Sequence, residues 1–201
     1  MKLLQVTLFF LTFLSSVEHT AATRRIKADP IVKEGSDDVA PIYDAEEISR
    51  LFSEAGKTRL TFEEISNALK NRHQWILLQK IVGDYKYGDQ SAIGITSFAG
   101  IPFTSSSLPM PRLAQLEAVA QLAEIVCLHL VDVGDYEVSF DGVDGVEWMK
   151  DVFPGDTLVM EVEVITWSSN DRTAKVTGKA YLNGEVALAV EVMQFSAVDE
   201  E

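Results

Sequence analysis

Glu117 and Gln121 are the pair of side chains in this sequence best placed to do chemistry. They lie four residues apart in the apolar run 111–130, a spacing that puts both on one face of a helix. A carboxylate inside such a run needs a partner if it is buried. So placed, it is a candidate for giving or taking a proton. Gln121 could orient that carboxyl or satisfy a neighbouring backbone group. Few other groups compete. The histidines are three: His19, His73 and His129. His129 lies more than three helical turns beyond Glu117 at ~1.5 Å per residue. His73 follows Arg72 just ahead of an apolar stretch. Both are expected to be packed or surface imidazoles. Cys127 is the one cysteine, which excludes an intrachain disulfide, a CxxC redox pair and a thiolate zinc site. Ser105, Ser106 and Ser107 have no base beside them and no nucleophile-elbow context, so they read as loop.

The rest of the sequence has to hold that pair in place, and it is long enough to do so. The chain has 201 residues, 47% apolar and 24% charged, which is one globular domain with a little to spare. Seventeen basic residues face 31 acidic ones, for a formal net charge of -14. That balance argues against a nucleic-acid partner and against adsorption to anionic lipid, both of which need a basic surface.

Residues 1–22 read as a signal or targeting segment: Lys2, then a mostly apolar run of about a dozen residues, then small residues up to Ala22. Residues 23–42 are a linker, first mildly basic (Arg24, Arg25, Lys27, Lys33), then acidic and turn-rich. Residues 43–201 form the folded domain, with its core at about 62–198. Its first element is a helix at 44–55, with Ile48, Leu51 and Phe52 on one face and Gly56 as the stop. Thr61 and Glu64 form a capping box for a second short helix. Strands are expected at 76–82 and 91–98. The longest helix follows at 111–130, apolar nearly all round and therefore buried. After it come strands at 136–140, 145–148, 157–167, 173–182 and 185–197; in the third, Leu158, Met160, Val162 and Val164 alternate as the inward set against Val159, Glu161, Glu163 and Ile165. Asn183-Gly184 makes a tight hairpin between the last two. The fold class is α+β, with one long helix packed on an antiparallel sheet.

Five segments in order also carry a family likeness. Asn71-Arg72-His73-Gln74-Trp75-Ile76-Leu77-Leu78 resembles the HRYPFLLVD segment of the FabZ-type 3-hydroxyacyl-acyl-carrier-protein dehydratases. Met110-Pro111-Arg112-Leu113-Ala114-Gln115-Leu116-Glu117-Ala118-Val119-Ala120-Gln121 resembles their MPGVLxxEAxAQ helix start. Phe140-Asp141-Gly142-Val143-Asp144 and Val152-Phe153-Pro154-Gly155-Asp156-Thr157-Leu158 resemble their F-x-G-(I/V)-D and V-x-P-G-D-x-L segments. Gly178 to Glu185 resembles their closing hairpin.

The resemblance implies a hot-dog fold, in which the sheet wraps the long helix. It implies water elimination from a 3-hydroxyacyl thioester on acyl carrier protein or coenzyme A, with no metal and no redox cofactor. It implies a homodimer, or an oligomer of dimers, with each site between two protomers. Glu117 falls on the family's acid, with Gln121 beside it. Arg112 stands where the family has glycine, and Arg112, Leu113 and Phe103 line the substrate side. The family's histidine base has no counterpart: its position holds Phe103 when aligned back from Pro111, or Ile101 when aligned forward from Phe98, and neither accepts a proton. A non-catalytic acyl-binding or partner subunit, or a hot-dog thioesterase using Glu117, are therefore the alternatives. The leader points to a secretory-type membrane, leading to a complex plastid or to secretion.

Overall fold

The computed structural model describes residues 58–69, 75–83, 86, 88–98, 108–130 and 136–199. The expected leader, linker and helix at 44–55 lie outside them, as do His19, His73, Ile101, Phe103 and Ser105 to Ser107. Strand β1 (Thr58–Leu60) runs into helix α1 (Phe62–Ala68) through Thr61. The Thr61 N–H donates to the Glu64 carboxylate at 2.7 Å, and the Glu64 N–H donates back to the Thr61 hydroxyl, completing the capping box. Strands β2 (Lys80–Val82) and β3 (Ser91–Ser97) follow, then the long helix α2 (Arg112–Leu130). Strands β4 (Tyr136–Trp148), β5 (Thr157–Ser168), β6 (Thr173–Leu182) and β7 (Glu185–Asp199) complete the domain.

All seven strands pair antiparallel in one sheet, in the order β1-β2-β3-β5-β6-β7-β4. The β6–β7 turn has φ 51° at Asn183 and 81° at Gly184. Both values are positive, as a two-residue hairpin matched to strand twist requires. Helix α2 lies against one face of the sheet, and twelve of its nineteen residues are buried. Two glycines set how closely it approaches. A Cβ at Gly178 would sit 2.7 Å from Val119 Cγ1, and one at Gly94 would sit 2.8 Å from Leu78 Cδ1 and 3.0 Å from the Leu122 methyls. The buried Val119, Leu122 and Val126 form the sheet-facing side, each contributing roughly 2 kcal/mol of apolar burial. A single antiparallel sheet wrapped on one buried helix is the hot-dog arrangement.

Three local expectations change. The first core strand is only Lys80–Val82, because residues 75–79 follow an irregular path whose backbone groups bond to a side chain of α2. The strands expected at 136–140 and 145–148 are one strand, whose register shift between Phe140 and Gly142 interrupts the alternation. Val159, on the outward side of its strand, is nevertheless fully buried.

Candidate active site

The start of α2 is assembled from the segments that carried the family likeness. Met110 N–H donates to the Val152 carbonyl at 2.6 Å, tying the helix entrance to the Val152-to-Asp156 turn. That turn closes on itself: Phe153 N–H donates to the Asp156 carboxylate at 2.8 Å, and Asp156 N–H donates to the Phe153 carbonyl. The Pro111 carbonyl accepts from Ala114 N–H at 2.9 Å and from Gln115 N–H, opening the helix. The first N–H groups of a helix have no acceptor within it, and here those are the N–H groups of Arg112 and Leu113.

Gln121 is completely buried, and all its hydrogen-bonding capacity is in use. Its amide nitrogen donates to the Trp75 carbonyl at 2.7 Å and to Glu117 Oε1 at 3.0 Å. Its amide oxygen accepts from Leu77 N–H at 2.8 Å and from Leu78 N–H at 3.2 Å. The two roles considered for this residue are therefore filled together: it orients the carboxyl and satisfies backbone. Thr96, also buried, donates its hydroxyl to the Leu77 carbonyl at 2.5 Å, fixing the same segment from the sheet side. Glu117 is only partly buried, and Gln121 holds one oxygen of its carboxylate from the buried side.

Arg112 is exposed at the first turn of α2. Its guanidinium lies 5.6 Å from the centre of the Trp148 ring, and the Trp148 indole N–H donates to the Arg112 carbonyl at 3.3 Å. Trp148 thus fixes both ends of this residue. Thirty-six residues separate the two in sequence, and no local pattern links them. Leu113 is partly buried beside Arg112, while Phe103 lies outside the described residues.

Glu124 is a second carboxylate on the face of Glu117 and Gln121, seven residues beyond Glu117 and 8% exposed. Its spacing from Glu117 was the available signal. Burial first, and the Glu124 charge second, push the Cys127 thiol up to about 12. It stays protonated at neutral pH and is no nucleophile. His129 is half-buried, and burial lowers its pKa below the ordinary histidine value. Among the described residues, no group of three or more His, Cys, Asp or Glu is placed to hold a metal ion.

Known proteins share this sequence and this fold in part. A FabA-like domain matches residues 107–191, from just before α2 into β7. The 3-hydroxyacyl-[acyl-carrier-protein] dehydratase FabZ of Thermomicrobium roseum is 32% identical over 143 residues, 69% of this chain and 93% of that protein. FabZ of Clostridioides difficile is 32% identical over 146 residues, 70% of this chain and 99% of that protein. Among solved structures, the dehydratase heterocomplex ApeI:P from Xenorhabdus doucetiae aligns with a TM-score of 0.57 at 12% identity, covering 68% of this chain and 91% of that one. A mutant thioesterase from Pseudomonas aeruginosa aligns with a TM-score of 0.52 at 14% identity, covering 70% and 97%. These structural likenesses speak for the fold, and the FabZ relatives for the family. The chain belongs to the FabZ-type 3-hydroxyacyl-[acyl-carrier-protein] dehydratase family.

Proposed function

We propose that this protein acts on acyl thioesters carried by acyl carrier protein or coenzyme A, removing or adding water at the 3-position, in fatty acid biosynthesis. The observation that carries this reading is the Glu117 carboxylate held by Gln121, which is itself fixed by the backbone of Trp75, Leu77 and Leu78. Gln121 spends both amide hydrogens on protein groups, so it is a positioning residue, and Glu117 is the group left to react. The N–H groups of Arg112 and Leu113 receive the thioester oxygen as it gains charge. Arg112, steered by Trp148, meets the anionic carrier arm.

In dehydration the C2–H bond breaks, its electrons form the C2=C3 double bond, and the C3–O bond breaks. With Phe103 or Ile101 at the histidine position, one carboxylate takes both parts. Glu117 accepts the C2 proton and hands it to the departing hydroxyl, which leaves as water. The carboxylate is restored at each turnover.

The missing histidine also favours a second reading. A lone carboxylate can activate water against the thioester carbonyl and return the proton to the departing thiolate, giving acid and free thiol. Purified protein given 3-hydroxyacyl, trans-2-enoyl and saturated acyl thioesters separates the two. Interconversion of the first pair supports dehydration, and thiol release from all three supports hydrolysis. No turnover above a Glu117→Ala control sinks both, leaving an acyl-binding or partner subunit, which bound acyl chain in mass spectrometry would support.

The active unit of this reading is a homodimer. Strand β4 supports it: thirteen residues long, it pairs only with β7 among the described residues and leaves an open sheet edge. Exposed Leu108, Met149 and Phe153 flank the helix start and give a second copy an apolar surface to cover. A monomeric mass in solution would count against it. The leader at 1–22 directs the chain into a secretory-type membrane, on the way to a complex plastid. A fluorescent fusion of residues 1–45 found only outside the cell would overturn that address.

A further inference from the structure

The rim around the start of α2 is drawn from three stretches of chain. Met110 N–H on the Val152 carbonyl, and the Trp148 indole N–H on the Arg112 carbonyl, bring the end of β4 and the turn after it against the helix entrance. Met149 N–H donates to the Ala187 carbonyl at 2.8 Å, so the start of β7 lies alongside. These stretches carry four carboxylates: Glu147, Asp151 and Glu185, all exposed, and Asp156, partly buried. Two cations stand among them. Lys150 is paired with Glu185. Arg112 lies over the Trp148 ring and has no carboxylate partner among the described residues. Residues 98–111, which lead into the helix, contain no charged side chain. One available guanidinium therefore sits in a rim that is otherwise negative, on a chain of formal net charge -14.

The proposed function leaves two carriers open. Coenzyme A and acyl carrier protein present the thioester on the same phosphopantetheine arm, and they differ in what lies at its far end. A carrier protein has to lay a folded surface of its own on the rim, and acyl carrier proteins are strongly acidic. Carboxylate brought against carboxylate slows encounter and opposes docking. Coenzyme A instead brings its charge as a few phosphate groups on a small, flexible nucleotide. It needs one well-placed cation, and the rest of it can stay in water. A guanidinium matches phosphate oxygens in geometry as well as charge.

We propose that the substrates are free coenzyme A thioesters: the acidic rim of Glu147, Asp151, Asp156 and Glu185 turns carrier-protein thioesters away, and Arg112 takes a phosphate of coenzyme A. This rests on the acyl-thioester reading of the site given above. Trp148 suits Arg112 to the task. Its N–H holds the Arg112 backbone and its ring lies beneath the guanidinium, so less freedom is lost when phosphate binds.

The test gives the full chain one 3-hydroxyacyl group on three carriers: coenzyme A, acyl carrier protein, and pantetheine, which has the arm without phosphate or protein. At low ionic strength kcat/KM should be at least about tenfold higher with coenzyme A than with the carrier protein. Adding ~0.5 M salt should raise the carrier-protein value by screening the rim. Glu147→Lys with Asp151→Lys should raise that value about tenfold and leave the pantetheine value unchanged. Arg112→Gln should raise KM for coenzyme A more than KM for pantetheine. A carrier-protein thioester turned over as well as the coenzyme A thioester, or a low carrier-protein value that neither salt nor the double variant raises, overturns this proposal while the proposed function stands. No turnover on any of the three carriers above a Glu117→Ala control overturns both.

Discussion

Helix α2 carries two fully buried glutamines, and the contrast between their surroundings separates packing from positioning. Gln121 faces away from the sheet, and all four of its hydrogen bonds go to named groups: three backbone atoms of residues 75–78 and the Glu117 carboxyl. Gln115 lies on the sheet side with Val119 and Leu122, donates only to the Met110 carbonyl at 3.3 Å, and leaves its buried amide oxygen without a hydrogen-bond partner. Burial is the same and connection is not. The sheet side of α2 is close-packed hydrophobic surface, whereas the opposite side is a polar network that includes the partly buried Glu117 carboxylate. Depth alone does not mark a site; what the buried group holds does.

The contrast breaks most sharply at Gln121. Gln121→Glu keeps the shape but sets a second carboxylate against Glu117 and the Trp75 carbonyl, while Gln121→Ala leaves several backbone groups unpaired. Either should cost about 3 kcal/mol or more in denaturant unfolding and abolish turnover. A variant of wild-type stability would show that the network does not hold the segment.

On the sheet side, only space matters. Gly178→Ala drives a Cβ to 2.7 Å from Val119, a β-branched helical residue with little rotamer freedom. It should cost about 1–3 kcal/mol, read as a fall in Tm. Gly94→Ala meets the movable ends of Leu78 and Leu122 and should cost less. Gln115→Met removes a half-satisfied amide at similar volume, and should change stability by less than about 1 kcal/mol, in either direction. A loss as large as that at Gln121 would erase the distinction between the two faces.

The smallest effect is at the far end of the helix. Burial lowers the His129 pKa, so the folded chain resists the proton that the unfolded chain accepts. Its contribution is complete above the ordinary value of 6.5 and is lost as pH falls through the lowered one. Urea midpoints should decline across that acid window, and more shallowly in His129→Asn.

Much of this could be read from the sequence because the signals are local. The capping box at Thr61 and Glu64, the Asn183-Gly184 hairpin and the periodicity of α2 need only neighbouring residues. The Glu117–Gln121 pair followed from helical spacing. What escaped depends on distant partners. Residues 75–79 are apolar and strand-like, yet Gln121, more than forty positions away, takes their backbone groups. Trp148 reaches Arg112 across the fold. Val159 sits where alternation places an outward residue, and alternation carries no information about what covers that side.

The central claim is that Glu117 is the reacting group and Gln121 only holds it. Glu117→Gln keeps the volume and the contact with Gln121 but can neither take nor give the proton. Measured beside the wild type on a 3-hydroxyacyl thioester, it should lose kcat by at least about a hundredfold, with KM and Tm nearly unchanged. Wild-type kcat in this variant would contradict the account.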